Sequence, residues 1–153
     1  MMKKLVLTGA GGRLGSYLRE PLSKMCEELV STDIVDDIGT LYAGETYARA
    51  DVAVYDQIAP LLEGADMVVH FGAIVDEKPF EELLGPNFVG SYNVWEAAYQ
   101  HGLKRVVYAS SIHAVGMHKK SDFIGIDAAH KPDTFYGLAK CFSEDLASMY
   151  WDK

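Results

Sequence analysis

Residues 5–18 read LVLTGAGGRLGSYL, a short apolar run that stops at Thr8 and passes straight into glycines and a segment of helical period. Gly9, Gly12 and Gly15 satisfy the spacing G-x-x-G-x-x-G. A G-x-G-x-x-G frame begun at Gly9 and Gly11 fails, because its last position is Leu14. Such a stretch can turn a strand tightly, bring backbone N–H groups against a pyrophosphate, and aim a helix N-terminus at its charge. The bland alternative is a glycine-rich strand-to-helix turn with no ligand. Gly9, Gly12, Arg13, Leu14 and Gly15 are the candidate contacts, and the rest of the chain decides between the two readings.

Downstream, Val- and Leu-rich runs alternate with longer helical segments, without repeats, linkers or low-complexity tracts, which is the βαβ pattern. Strands are expected near Lys4–Thr8, Glu28–Thr32, Tyr47–Ala50, Met67–Phe71 and Arg105–Ala109. Helices are expected near Arg13–Met25, Val54–Leu62, Asn87–His101 and Thr134–Tyr150. Gly64 and Gly102 stand where glycines stop the second and third helices, and Pro21 should kink the first. Continuous apolar character in the strands implies burial on both faces. The expected fold is α/β: a Rossmann-type doubly wound parallel sheet, truncated after the fifth βα unit, as one domain over residues 1–153.

Composition narrows the partners. With 49% hydrophobic and 24% charged residues, the chain has apolar matter for a real core. A net charge of -8 disfavours nucleic acid and anionic membranes. Cys26 and Cys141 are read as free thiols, and His70, His101, His118 and His130 show no metal spacing, so no metal site is expected. The apolar run Leu5–Leu7 is too short for a signal segment or membrane span, and a cytoplasmic location is expected.

The second expected strand runs into STDIVDD, which puts Asp33 where a ribose-binding carboxylate belongs. An Asp there accepts from both ribose hydroxyls and repels a 2′-phosphate, with Asp36 and Asp37 adding to the repulsion. NAD is expected over NADP, and Arg13 is the one residue that argues the other way.

In FYGLAKCF, residues 135–142, Tyr136 and Lys140 are spaced to share one helix face. A phenol has a pKa of about 10, and a neighbouring ammonium with a cationic nicotinamide is expected to lower it by about 1–3 pH units, enough to take a proton from an alcohol. The pair alone also fits an ordinary amphipathic helix. Ser111, in VVYASSIH after the fifth strand, changes that balance: it falls at the carboxyl edge of the sheet, where its hydroxyl can hold a substrate oxygen.

The glycine loop, Asp33, the serine pair and Tyr136/Lys140, in this order, resemble the extended, epimerase/dehydratase-like branch of the short-chain dehydrogenase/reductase superfamily. The resemblance implies that Asp51 and Val52 flank the adenine. It further implies that Phe71, Gly72 and Ala73 line the cofactor, and that Asn87, Tyr136 and Lys140 contact it. EKPFEELL, SSIHAVG and YGLAKCFSEDLASMYWDK look most like uronate dehydrogenases, which oxidise the anomeric carbon of a hexuronic acid to a lactone with NAD. Ser111, Tyr136 and Lys140 are then the catalytic residues, and Val75, Ser111, Ile112 and His113 the substrate side. Val75 and Ile112 depart from the serine and asparagine of that pattern, which leaves the sugar open. Dehydration is disfavoured, because Ile112 and His113 replace the acidic residues that would follow the serine. A nucleotide-sugar epimerase and a non-catalytic dinucleotide-binding module are the alternatives. The resemblance also implies a homodimer through helices 87–101 and 134–150. The family continues past the position of Lys153 into a sixth strand and a substrate lobe, so this polypeptide alone is expected to bind dinucleotide weakly and to be inactive.

Overall fold

A computed structural model describes residues 1–153. Five strands, β1 (Met2–Thr8), β2 (Cys26–Asp33), β3 (Glu45–Arg49), β4 (Met67–His70) and β5 (Arg105–Tyr108), form one parallel sheet in the order β3-β2-β1-β4-β5. The helices are α1 (Arg13–Ser23), α2 (Tyr55–Leu62), α3 (Phe80–Leu83), α4 (Gly90–Gln100) and α5 (Phe135–Trp151). This is the Rossmann-type arrangement expected from the alternating pattern.

The pleat sorts the core into two layers. Val6, Val30 and Val68 meet Ile58 and Leu62 of α2 and Val94, Ala97 and Ala98 of α4. On the other face, Leu5, Leu7, Leu29, Met67 and Val69 meet Leu22 of α1. Leu5, Val6 and Leu7 are each fully buried. Burial of such a side chain contributes about 1.5–3 kcal/mol, so the central strand needs helices on both faces. No helix is long and apolar enough to cross a membrane.

From β1 the chain winds outward through β2 and β3, then returns to lay β4 on the other side of β1. The carboxyl ends of β1 and β4 flank the point where winding direction reverses, and ligand crevices open there in such sheets. Thr8 and His70 are register partners at those ends. Thr8 Oγ1 shares a 2.7 Å hydrogen bond with His70 Nδ1 and accepts the Gly72 N–H at 3.1 Å, so the crevice floor is cross-linked.

Beside shifts of a residue or two at element ends, three local features differ from expectation. α1 ends at Ser23, two residues past Pro21, and stops short of Met25; a proline in the last turn removes a helical hydrogen bond, and the helix finishes there. Asn87 is not in α4. It lies in a wide π-type turn, Leu84–Val89, that joins α3 to α4 and contains Pro86, whose missing N–H breaks the regular ladder. The loop after β5 tightens into a short 3-10 turn at Ile112–Ala114. Gly64 and Gly102 follow α2 and α4 with φ of +71° and +66°, as their positions suggested.

Candidate active site

The glycine loop is shaped by approach distance. A Cβ on Gly9, whose φ is +72°, would lie 2.6 Å from the Phe71 carbonyl carbon, and one on Gly15 would lie 2.1 Å from the Gly9 carbonyl oxygen. Only glycine permits the strand, the helix start and the β4 loop to meet this closely. No side chain caps α1, and its first turn carries no acidic residue, so its amide end presents positive potential to the crevice. Arg13 and Leu14 are both exposed there.

Asp33 closes the other side of the loop. Its Oδ2 accepts the Gly11 N–H at 2.9 Å and its Oδ1 the Ile34 N–H at 2.7 Å. A carboxylate has about four lone-pair sites, so two remain for a ribose diol. The loop after β2 is held from behind by an ion pair that local sequence patterns did not reveal. Arg19 Nε donates to Glu45 Oε1 at 2.7 Å, and its other nitrogens donate to the carbonyls of Ile38 and Thr40. Ser31 Oγ and the Tyr42 N–H complete the Glu45 carboxylate. Burial pushes the Glu45 carboxyl up, but the bonds from Arg19, Ser31 and Tyr42 outweigh it and hold it below its ordinary value. Arg49 pairs with Asp36 at 3.1 Å, so the repulsion expected of Asp36 toward a 2′-phosphate is partly neutralised.

Of the two residues expected to flank the adenine, Asp51 accepts the Ala53 N–H, and Val52 is buried with its carbonyl bonded by Asn93. Phe71, Gly72 and Ala73 follow β4, half-buried, on the crevice. Asn87 is buried with its amide engaged on both sides by Ile74, accepting its N–H at 2.9 Å and donating to its carbonyl at 2.8 Å. In this structure it clamps the loop after β4.

Ser111, Tyr136 and Lys140 come together at the carboxyl edge. Ser111 caps the 3-10 turn, accepting the His113 N–H at 3.2 Å, while Ser110 turns away to donate to Glu144 of α5. Lys140 Nζ stands 5.1 Å from the Tyr136 ring centre and 4.7 Å from that of Tyr108. The residue is 4% exposed and no carboxylate pairs with it. Burial alone pushes its ammonium down to about 8. An unpaired buried lysine is costly, and such groups cluster where chemistry needs them. The Tyr136 phenol departs from expectation: burial pushes it up, with the Ser111 hydroxyl opposing, so Lys140 does not lower it in the protein alone. Burial and the nearby Lys140 push His70 down to about 3, keeping it neutral behind the site.

Of the residues expected on the substrate side, Val75 is 67% and Ile112 81% exposed, and both present apolar surface. His113 packs edge-on to the Tyr136 ring, with centres 5.9 Å apart, and its Nδ1 bonds Asp133 at 2.8 Å. That bond is the main cause holding the Asp133 carboxyl below its usual range. Glu77 was also invisible to local patterns. It accepts the N–H groups of Phe135 and Tyr136 at 3.0 and 2.9 Å.

The parallel sheet in this order, the glycine loop and the Ser, Tyr and Lys grouping define a Rossmann-type domain of the short-chain dehydrogenase/reductase class. The chain belongs to the NAD dependent epimerase/dehydratase family, whose profile matches residues 5–153. It is 42% identical over 150 residues to the uronate dehydrogenase of Pseudomonas putida, covering 98% of this chain and 56% of that protein. The crystal structure of uronate dehydrogenase from Agrobacterium tumefaciens superposes with a TM-score of 0.92 at 41% identity, over 98% of this chain and 56% of that one. A mutant of that enzyme, complexed with NAD, superposes with a TM-score of 0.94 at 40% identity, covering 100% of this chain and 57% of its own. The chain spans about half the length of the curated relatives it matches.

Proposed function

We propose that the protein is an NAD-dependent oxidoreductase that oxidises the anomeric hydroxyl of a hexuronic acid to a lactone. The observation that carries this reading is Lys140, buried without a carboxylate partner against the Tyr136 ring, with the Ser111 hydroxyl beside the Tyr136 phenol. The similarity to uronate dehydrogenases supports the substrate class. The bare α1 amides and glycine loop suit a pyrophosphate, and the two open lone-pair sites on Asp33 suit a ribose diol. Bound NAD supplies the hydride acceptor.

The chain's own groups do the proton work. Ser111 Oγ donates to the substrate oxygen and orients the alcohol toward Tyr136 Oη, which takes its proton. The Lys140 ammonium favours the phenolate once a substrate fills the crevice and water is excluded. His113 buttresses the Tyr136 ring and lies beside the sugar. The exposed Val75 and Ile112 offer apolar contact where the family pattern carries a serine and an asparagine, so the preferred uronate is set by shape at those two positions. A cytoplasmic homodimer through α4 and α5 is part of this reading. Those helices display Tyr92, Tyr99, Leu138 and Met149, and light scattering tests the association.

The test is NADH absorbance on incubating a protein of the relatives' full length that carries this chain with NAD and a panel of uronic acids and neutral sugars. Tyr136→Phe is expected to lower turnover by roughly 10²–10⁴-fold. Net NADH separates this reading from an epimerase, which returns the hydride, and from a binding module, which moves none. Near-normal turnover in Tyr136→Phe would falsify the acid/base role.

A further inference from the structure

We infer that Glu77 is a positioning residue for Tyr136, a carboxylate brace that ties the substrate-side loop to the first turn of the catalytic helix. This rests on the proposed function for its kinetic consequence and on geometry for its existence.

The first amides of a helix have no intrahelical partner. In α5, Thr134 Oγ1 accepts from Gly137 at 2.9 Å, the ordinary local cap. The two preceding amides, those of Phe135 and Tyr136, are both taken by one side chain from far along the chain, with Glu77 Oε1 on Phe135 and Oε2 on Tyr136. A carboxylate at that end is favoured twice, by charge-assisted hydrogen bonds and by the helix dipole. The bond therefore fixes the backbone of Tyr136 itself.

The other end of the brace is equally constrained. Asn87 grips Ile74 through both of its amide groups, three residues before Glu77. Phe80, three residues after it, packs on Phe135 and Phe88, with ring centres 5.7 and 5.4 Å apart. Val75 and Asp76, both exposed, are thus strung between a buried clamp and the catalytic helix. A change of position in this loop is transmitted to Tyr136 through two hydrogen bonds, and a shift of about 1 Å at a reacting group can cost about 100-fold in rate. Glu77 is itself exposed, so its truncation opens no core cavity. The stretch EKPFEELL thereby has a physical role: Glu77 braces the helix and Phe80 seats α3 against it.

The experiment compares Glu77→Ala and Glu77→Gln with wild type in the same full-length protein. Glu77→Ala is expected to lower kcat about 10–100-fold with the NAD dissociation constant within twofold, because the glycine loop and Asp33 lie on other elements. Glu77→Gln, which keeps one acceptor oxygen, is expected to fall between Ala and wild type. Amide exchange at Phe135 and Tyr136, measured without substrate, should accelerate in Glu77→Ala while Gly137 stays protected. A kcat within twofold of wild type, or unchanged exchange at both amides, overturns the inference. If wild type reduces no NAD with any uronate, the proposed function fails. The exchange rates and the Tyr136 phenol titration then decide the brace alone, and unchanged values in Glu77→Ala overturn it.

Discussion

Lys140→Met should yield a protein that is more stable and catalytically dead. The lysine's ordinary pKa of 10.5 is pushed down to about 8 by burial, with no carboxylate in compensation. At about 1.36 kcal/mol per pH unit, that difference corresponds to about 3 kcal/mol of destabilisation while the ammonium is charged in both states. The cation sits over the Tyr108 and Tyr136 rings, contacts worth about 0.5–2 kcal/mol that methionine forfeits. The net gain at pH 7 is therefore about 1–3 kcal/mol, with the stem volume kept by methionine. The sign follows from proton binding. Between pH 8 and 10.5 the unfolded chain holds the lysine proton and the folded chain does not, so wild-type stability rises with pH across that window. The advantage of Lys140→Met is full below pH 8 and closes toward pH 10.5. Urea denaturation of both nucleotide-free proteins at pH 7 and near pH 10 measures it. A variant less stable than wild type at pH 7, or a gap that does not change with pH, would refute the reasoning.

Other expectations concern the cofactor side. NAD should bind at least about tenfold tighter than NADP, about 1.4 kcal/mol, and Asp33→Ala should erase most of that preference in titration calorimetry. Selectivity that survives Asp33→Ala would shift the discrimination to the α1 start or to Arg49. Glu45→Ala leaves the Arg19 guanidinium buried without its partner and should cost about 3–5 kcal/mol in chemical denaturation. Because the folded Glu45 carboxyl lies below its ordinary 4.5, its contribution is present above that pH and lost as pH falls through the folded value. Acid titration of wild type against Glu45→Gln reads this: only wild type should lose that increment of stability on acidification.

Much of the fold was legible in one dimension because its causes are local. The glycine spacing after β1, the Val-rich runs and the helix-stopping Gly64 and Gly102 each express a constraint felt within a few residues, and all five expected strands occur within two residues or so of their expected limits. The i, i+4 relation of Tyr136 and Lys140 likewise follows from helix geometry alone. Boundaries slipped where the local rule was proline's: α1 ends just after Pro21, and the turn around Pro86 draws Asn87 out of α4.

What the tertiary structure decided involves partners that lie far apart in sequence or solvent that is excluded. Arg19 meets Glu45, Glu77 meets the start of α5, and Thr8 meets His70, with no periodicity or spacing that would announce any of them. The electrostatics of the site belong to this second group. A lysine one turn from a tyrosine can be an exposed ion or a buried one. Only the packing of α5 against the 3-10 turn and β5 removes water from Lys140, pushes its pKa down and raises that of Tyr136, where the sequence suggested the reverse for the phenol. Sequence names the groups that can do chemistry; desolvation, which is collective and non-local, determines the protonation states in which they are held.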